Sequence, residues 1–355
     1  MGFFDSIGKI VIVLLIVGGI FYILNNFDFS RKISLDPEAI RATPYIKEIV
    51  YDDIELRQFT ASVTKGCAGD KECQVNKVFR YVVDNYEYYS DPAGKEGIQS
   101  PYETMSIEGG DCEDFSILMN SMFESIGLKT YLVLTDTHAY GLVCGVNPDK
   151  LTKYVEESLL QKYATDSNFN KNGNLVYENN KIYLKEEHNK QFVLDPYSTY
   201  YFGGDGSNIA TPFINARYDY SLTFFSPVDF YVVSGQEEYQ KLANGDSFKT
   251  YSSCTELSTL KAVGECTIKN YGGIAISNKG GDSVQVTMDM NIYYLYSSDE
   301  LLKDVNIVSY QIDGESCVVL DGTSGKYGYP GYNPSDLVGK KVAIDPITKE
   351  IVYLE

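Results

Sequence analysis

The most informative segment of the sequence reads Gly109-Gly110-Asp111-Cys112-Glu113-Asp114-Phe115. From residue 111 to residue 126, apolar side chains recur at intervals of three and four, and a glycine at position 127 follows as a typical helix stop. These apolar residues are Phe115, Leu118, Met119, Met122 and Phe123. The pattern predicts a helix whose first turn contains Cys112.

A helix N-terminus stabilises a thiolate through its unpaired amides and the positive end of its dipole. The glycine pair before Cys112 allows the sharp turn that would present the sulfur at the floor of a groove. The sequence therefore predicts a nucleophilic cysteine. The alternative is a buried structural cysteine, which is common for a free thiol.

The chain has only two histidines, His138 and His188, to serve as the base that a thiolate nucleophile needs. His138 opens the second of two short predicted strands, residues 129–135 and 138–146, that directly follow the cysteine helix. His188 stands among charged residues in a predicted polar loop, where a solvated surface role is expected. The pattern favours His138 as the base.

Asp195 is the candidate third member, because it ends an apolar run and precedes Pro196. A carboxylate in such a position can hold the imidazole in the required tautomer. A simple strand-end aspartate is the alternative interpretation.

Three short segments in the same order resemble the prokaryotic transglutaminase-like superfamily. They are Gly110-Asp111-Cys112-Glu113-Asp114, His138-Ala139-Tyr140 and Leu194-Asp195-Pro196, within residues 65–205. The resemblance implies an α+β, papain-like core with Cys112 as nucleophile, His138 as base and Asp195 as the residue that orients it.

The match departs from compact members of the superfamily in the long separation between His138 and Asp195. Asp205 and Glu187 are therefore kept as substitutes for the third residue. The sequence also lacks the tryptophan that some relatives place near the oxyanion, which leaves the Cys112 amide and the Gln99 side chain as candidate donors.

The amino-terminal residues predict a membrane anchor. Residues 7–27 form an almost uninterrupted apolar run, and about 20 such residues cross a bilayer as a helix. A cleaved signal peptide is the rival interpretation, but no small-residue cleavage site follows the run. Positive charges on both sides leave the orientation to be judged from the cysteines.

Seven cysteines predict disulfide pairs with one thiol left over, which favours an oxidising compartment outside the cytosol. Cys67 with Cys73 and Cys254 with Cys266 are close enough in sequence for local bonds. Cys144 and Cys317 either pair or remain buried thiols. Cys112 is the expected remainder.

The composition of the 355-residue chain is that of an ordinary folded protein, with 44% hydrophobic and 22% charged residues. A formal charge of −19 argues against nucleic-acid partners, whose phosphates it would repel. No cofactor or metal motif is recognised, and no cofactor or metal is expected.

The predicted organisation has four parts: an anchor at residues 1–27, a stalk with a helical lead-in at 28–64, a transglutaminase-like domain at 65–235 with an insertion at 149–190, and a small β-rich domain at 236–355. The expected function is that of a single-pass, membrane-tethered thiol peptidase or amidase acting on a protein or peptide. A catalytically silent binding protein and an amine-accepting cross-linking enzyme are the alternatives. Residues 149–190 and 236–355 are the expected contact surfaces for protein partners.

Overall fold

A computed structural model describes residues 37–91, 97–204, 213–269, 272–332 and 339–354. The helices are α1 (Pro37–Glu48), α2 (Ile54–Val63), α3 (Lys71–Asn85), α4 (Pro101–Ile107), α5 (Cys112–Ser125), α6 (Pro148–Thr165), α7 (Gln236–Asn244) and α8 (Asp299–Leu302). The first strands are β1 (Glu87–Tyr88), β2 (Gly109–Gly110), β3 (Thr130–Leu134), β4 (Ala139–Cys144), β5 (Leu175–Glu178), β6 (Lys181–Leu194), β7 (Thr199–Gly203) and β8 (Phe213–Val233). The later strands are β9 (Glu256–Lys269), β10 (Gly273–Ser277), β11 (Val284–Tyr296), β12 (Ser309–Ile312), β13 (Glu315–Leu320), β14 (Lys341–Ile344) and β15 (Ile351–Leu354).

The cysteine helix α5 is the centre of the first core, and it begins at Cys112 as the sequence pattern predicts. Its apolar face packs against α3, whose buried side chains also repeat at helical spacing. The fully buried side chains of this contact are Val75, Val78, Phe79, Val82, Leu118, Met119, Met122 and Phe123. Burial of each large apolar side chain contributes about 1.5–3 kcal/mol, so this contact holds α5 firmly in place.

A six-stranded antiparallel sheet, counted over the described residues, lies against α5 in the order β12-β13-β4-β3-β14-β15. Its central strands β3 and β4 come directly after the cysteine helix. Its outer strands come from the end of the chain, with Cys317 opposite Cys144 and Val342 opposite Leu134. The carboxyl-terminal strands therefore complete the core that contains Cys112.

The predicted division of the chain differs from this arrangement. Strands β5 to β11 form a second antiparallel sheet around its own apolar core, so the insertion extends well beyond residues 149–190. Residues 309–354 belong to the first sheet rather than to a separate domain at 236–355. The alternating pattern identifies a strand but not its partner, because any strand of matching polarity can satisfy the free edge of β4.

Every cysteine other than Cys112 is paired in a disulfide. The bonds join Cys67 to Cys73, Cys254 to Cys266 and Cys144 to Cys317, and Cys112 is free. The two local bonds and the leftover thiol are thus confirmed, and the choice that the sequence left open for Cys144 and Cys317 is resolved as a disulfide.

The predicted membrane anchor at residues 1–27 and the stalk as far as residue 36 lie outside the described residues. Among the helices of residues 37–91, 97–204, 213–269, 272–332 and 339–354, none combines the length and apolar character that a bilayer crossing requires. The lead-in up to residue 64 forms α1 and α2.

Candidate active site

The glycine turn before Cys112 exists because the chain is crowded there. Strand β2 pairs in parallel with β1, which places Gly109 opposite Glu87 and Gly110 opposite Tyr88. A Cβ atom on Gly109 would lie 2.4 Å from the Glu87 carbonyl oxygen, and one on Gly110 would lie 2.6 Å from the Asp114 Cβ. Only glycine fits this approach, which delivers the chain into the first turn of α5.

His138 is held at the start of β4 by Thr135. The His138 amide donates to the Thr135 hydroxyl at 2.9 Å, and the Thr135 amide donates to the His138 carbonyl at 2.8 Å. The imidazole stacks against Tyr140 with 6.2 Å between ring centroids. The side chain is thus fixed by the β3–β4 turn rather than left to solvent.

The carboxylate beside the imidazole belongs to Asp321, at the end of β13. Its Oδ2 lies 3.2 Å from His138 Nε2, which is ion-pair distance, although the two atoms are not aligned as a hydrogen bond. The Thr323 amide and hydroxyl both donate to the other oxygen, Oδ1, at 2.9 and 2.8 Å, which orients the carboxylate. Burial opposes ionisation, but the His138 contact and the Thr323 hydrogen bonds outweigh it, so the pKa of Asp321 is lowered.

Asp195, which the sequence predicts as the third member of the triad, does not lie beside His138. It follows β6 in the second sheet and is exposed, and its carbonyl accepts hydrogen bonds from Ser198 and Asn278. Of the two substitutes, Glu187 pairs with Lys185 in β6, and Asp205 lies outside the described residues. Asp321 takes the position that the sequence pattern assigned to Asp195.

One feature of the sequence could have identified Asp321. Residues 318–321 read Val-Val-Leu-Asp, an apolar strand ending in aspartate like the run before Asp195, and Cys317 precedes them. A disulfide between Cys144 and Cys317 would have placed this strand beside the one that His138 opens. The prediction that His188 lies in a loop was also wrong, because His188 lies within β6 and its ring contacts Phe202.

Cys112 and His138 line one cavity of about 420 Å³. Helix α1 closes one side with Arg41 and Tyr45, and the β3–β4 turn closes another. The Cys112 sulfur is half-buried and also receives a hydrogen bond from the amide of Ala139, the residue after His138. The thiol and the imidazole are thus both part of the lining of one cavity.

Acidic groups surround the sulfur. The Cys112 thiol donates to Glu113 Oε2 at 3.0 Å, and burial together with this carboxylate raises the pKa of the thiol, against a smaller lowering by the Ala139 amide. Burial and the neighbouring Glu113 raise the pKa of Asp111 to about 7. The resting site therefore favours the neutral thiol.

Asp114 connects the cysteine turn to the preceding segment. Its carboxylate accepts hydrogen bonds from the Gln99 amide at 2.8 Å and the Asp111 amide at 3.2 Å. Burial raises the pKa of Asp114 to about 6 despite these bonds. Gln99, the predicted oxyanion donor, is thereby held near the start of α5, and its side-chain oxygen is buried without a hydrogen-bond partner.

Asp111, Cys112 and Glu113 could together hold a metal ion, because their ligand atoms lie within 4.8 Å of one another. A thiolate and two carboxylates would suit a divalent cation of intermediate softness. The expectation that no metal takes part stays a prediction.

Residues 57–161 match the transglutaminase-like superfamily core. This stretch of an α+β chain carries both Cys112 and His138. No curated protein matches the sequence.

A solved structure reported as "Bacillus endospore appendages form a novel family of disulfide-linked pili" aligns with part of the chain. The identity is 12%, the alignment covers 32% of this chain and 89% of that one, and the TM-score is 0.22. A similarity at this level supports no argument about fold or function.

Proposed function

We propose that the protein is a thiol peptidase or amidase that acts through Cys112, His138 and Asp321. The observation that carries this proposal is the shared cavity of Cys112 and His138, with the Asp321 carboxylate 3.2 Å from the imidazole. The superfamily match over residues 57–161 includes Cys112 and His138, and it supports transglutaminase-like chemistry for these two residues.

The chemistry follows from these positions. The imidazole accepts the thiol proton, and the sulfur attacks an amide carbonyl to give a tetrahedral intermediate. The Cys112 amide at the start of α5 stabilises the oxyanion, with Gln99 as a second candidate donor. His138 then protonates the leaving amine, and water hydrolyses the thioester. An amine acceptor in place of water would give cross-linking instead.

Alkylation by iodoacetamide tests the nucleophile directly. Cys112 should be labelled at neutral pH, and His138→Ala should slow labelling by tenfold or more, in keeping with the usual contribution of a positioned base of about 10²–10⁴. His188→Ala is the matched control and should leave the rate unchanged. Equal, slow labelling of all three proteins would reject the catalytic assignment.

A catalytically silent binding protein is the second candidate, favoured by the raised pKa of the Cys112 thiol. Its contact surface would lie on the second sheet, where large apolar side chains are exposed by more than half of their area. These are Phe225 at 73%, Leu257 at 63%, Leu260 at 56% and Val263 at 53%. Peptide hydrolysis that is lost on Cys112→Ser would decide for the enzyme.

We further propose that residues 7–27 tether the protein to a membrane with its folded part outside the cytosol. Three disulfides support an oxidising compartment. Protease added to intact cells should digest the folded part, and deletion of residues 1–27 should release it from the membrane fraction. If the folded part resists protease in intact cells and is digested only after lysis, the protein has the opposite orientation in the membrane.

A further inference from the structure

Carboxylates outnumber cations in the wall of the Cys112 cavity. Asp111, Glu113 and Asp136 line it, against the single guanidinium of Arg41. That guanidinium is already engaged, because Nη2 donates to the Thr135 carbonyl at 2.9 Å and Nε lies 3.4 Å from Glu38. The cavity therefore presents a negative potential next to the sulfur.

Asp111 gives the main indication that the cavity binds a cationic ligand. Asp111 lines the cavity and is only 7% exposed. Its carboxyl group contacts the Glu113 side chain and the Asp114 amide, but its Oδ1 atom has no hydrogen-bond partner. A buried carboxylate oxygen without a donor is costly, so a cationic donor entering the cavity would be stabilised there.

An aromatic residue, Tyr88, lies on the strand that pairs with the segment before Asp111, although it does not itself line the cavity. Tyr88 lies opposite Gly110 in the β1–β2 pair, and Gly110 is two residues before Cys112. Tyr88 is 56% exposed. Burial and then the charges of Cys112, Asp111 and Glu113 raise the pKa of Tyr88. The face of such a ring attracts ammonium and guanidinium groups.

We propose that the substrate carries a lysine or arginine side chain beside the attacked bond, bound between the ring of Tyr88 and the carboxylates of Asp111 and Glu113. The inference rests on the proposed attack by Cys112. It adds a specificity subsite that the superfamily match does not assign.

Methanethiosulfonate reagents of opposite charge test this subsite without a known substrate. The thiolate attacks the reagent's sulfur, a disulfide forms and methanesulfinate leaves. The cationic ethylammonium and anionic ethylsulfonate reagents share this reacting group and differ only in the charged headgroup, whose size effect the free thiol reference corrects. A chelator in the buffer keeps divalent cations off the carboxylates. The cation-to-anion rate ratio at Cys112 should exceed that of N-acetylcysteine amide by about tenfold or more, and added salt should reduce the excess.

Glu113→Gln and Tyr88→Ala should each lower the ratio severalfold. Because the ratio compares two reagents on one thiol, a change in the pKa of Cys112 cancels. Glu108→Gln is the matched control, since it removes a nearby exposed carboxylate that does not line the cavity, and it should leave the ratio unchanged. A wild-type ratio equal to that of the free thiol would overturn the subsite even if iodoacetamide labels Cys112 rapidly.

Peptide binding tests the subsite even if the protein is not an enzyme. Fluorescent peptides that differ only in lysine against norleucine should be compared on Cys112→Ala protein by anisotropy. Severalfold tighter binding of the lysine peptide, lost on Tyr88→Ala, supports the subsite even in a silent protein. Equal binding of the two peptides overturns it.

Discussion

Oδ2 of Asp321 lies 3.2 Å from Nε2 of His138, although the two residues come from strands far apart in the chain. The contact exists because β13 pairs with β4, and Leu320 lies opposite Gly141 at the end of that ladder. Gly322 then lets the chain pass close to Phe115 of the cysteine helix, where a Cβ would lie 2.8 Å from the Phe115 Cβ. The second sheet is thus looped out between two strands that together build one site.

Asp321→Asn should inactivate the protein where Asp195→Asn should not. An amide in place of the Asp321 carboxylate cannot stabilise the imidazolium, and the loss expected from such a change is about two to four orders of magnitude in kcat/KM. Asp195→Asn is the control because that residue is exposed in the second sheet. Peptide hydrolysis and iodoacetamide labelling measure both variants, and equal effects of the two substitutions would contradict the assignment.

Glu113→Gln should make Cys112 more reactive towards iodoacetamide near neutral pH. The thiol now donates to the Glu113 carboxylate, and this contact adds to burial in raising its pKa. Removing the negative charge lowers that pKa, so the thiolate forms at a lower pH. Labelling rates measured from pH 6 to pH 10 should shift towards acid in the variant. A profile that stays in place, or moves towards alkali, would show that Glu113 does not hold the thiol neutral.

The Asp321 carboxylate should make stability depend on pH in the acid range. Its pKa is lowered in the folded state, so its contribution is present above the unfolded pKa of about 3.9 and is lost as the pH falls through the folded pKa. The difference in unfolding free energy between wild type and Asp321→Asn should therefore be larger at pH 7 than at pH 3. Urea denaturation at both pH values measures it, and a difference that does not change with pH would contradict the shift.

Removal of the Cys144–Cys317 disulfide should destabilise the protein more than removal of the Cys254–Cys266 disulfide. The sequence separations are 173 and 12 residues, and the chain-entropy model assigns the longer loop the larger effect, by about 2.4 kcal/mol. Serine pairs at each bond provide matched variants for denaturant unfolding. The first pair should also slow Cys112 labelling, because that bond joins the strands next to His138 and Asp321. A smaller loss for the first pair would contradict the loop argument.

Features encoded by neighbouring residues could be predicted from the sequence. Three such features each depend on a segment shorter than about twenty residues. They are helix α5, which follows from its apolar spacing, the turn that presents His138, and the bond between Cys67 and Cys73. The third residue could not be predicted, because the contact between His138 and Asp321 joins two segments that the insertion separates in the chain. Asp195 and Asp321 each follow a strand whose last residues are apolar, and local pattern alone cannot rank them.

The sequence by itself determined the candidate groups of the first core. One free cysteine at a helix start and one histidine at a strand start are local consequences of glycine turns and apolar periodicity. Only the tertiary structure decided which carboxylate meets the imidazole and which strands complete the sheet. The physical reason is that backbone hydrogen bonding between strands carries little sequence information, so the pairing of β4 with β13 is settled by the packing of the whole chain.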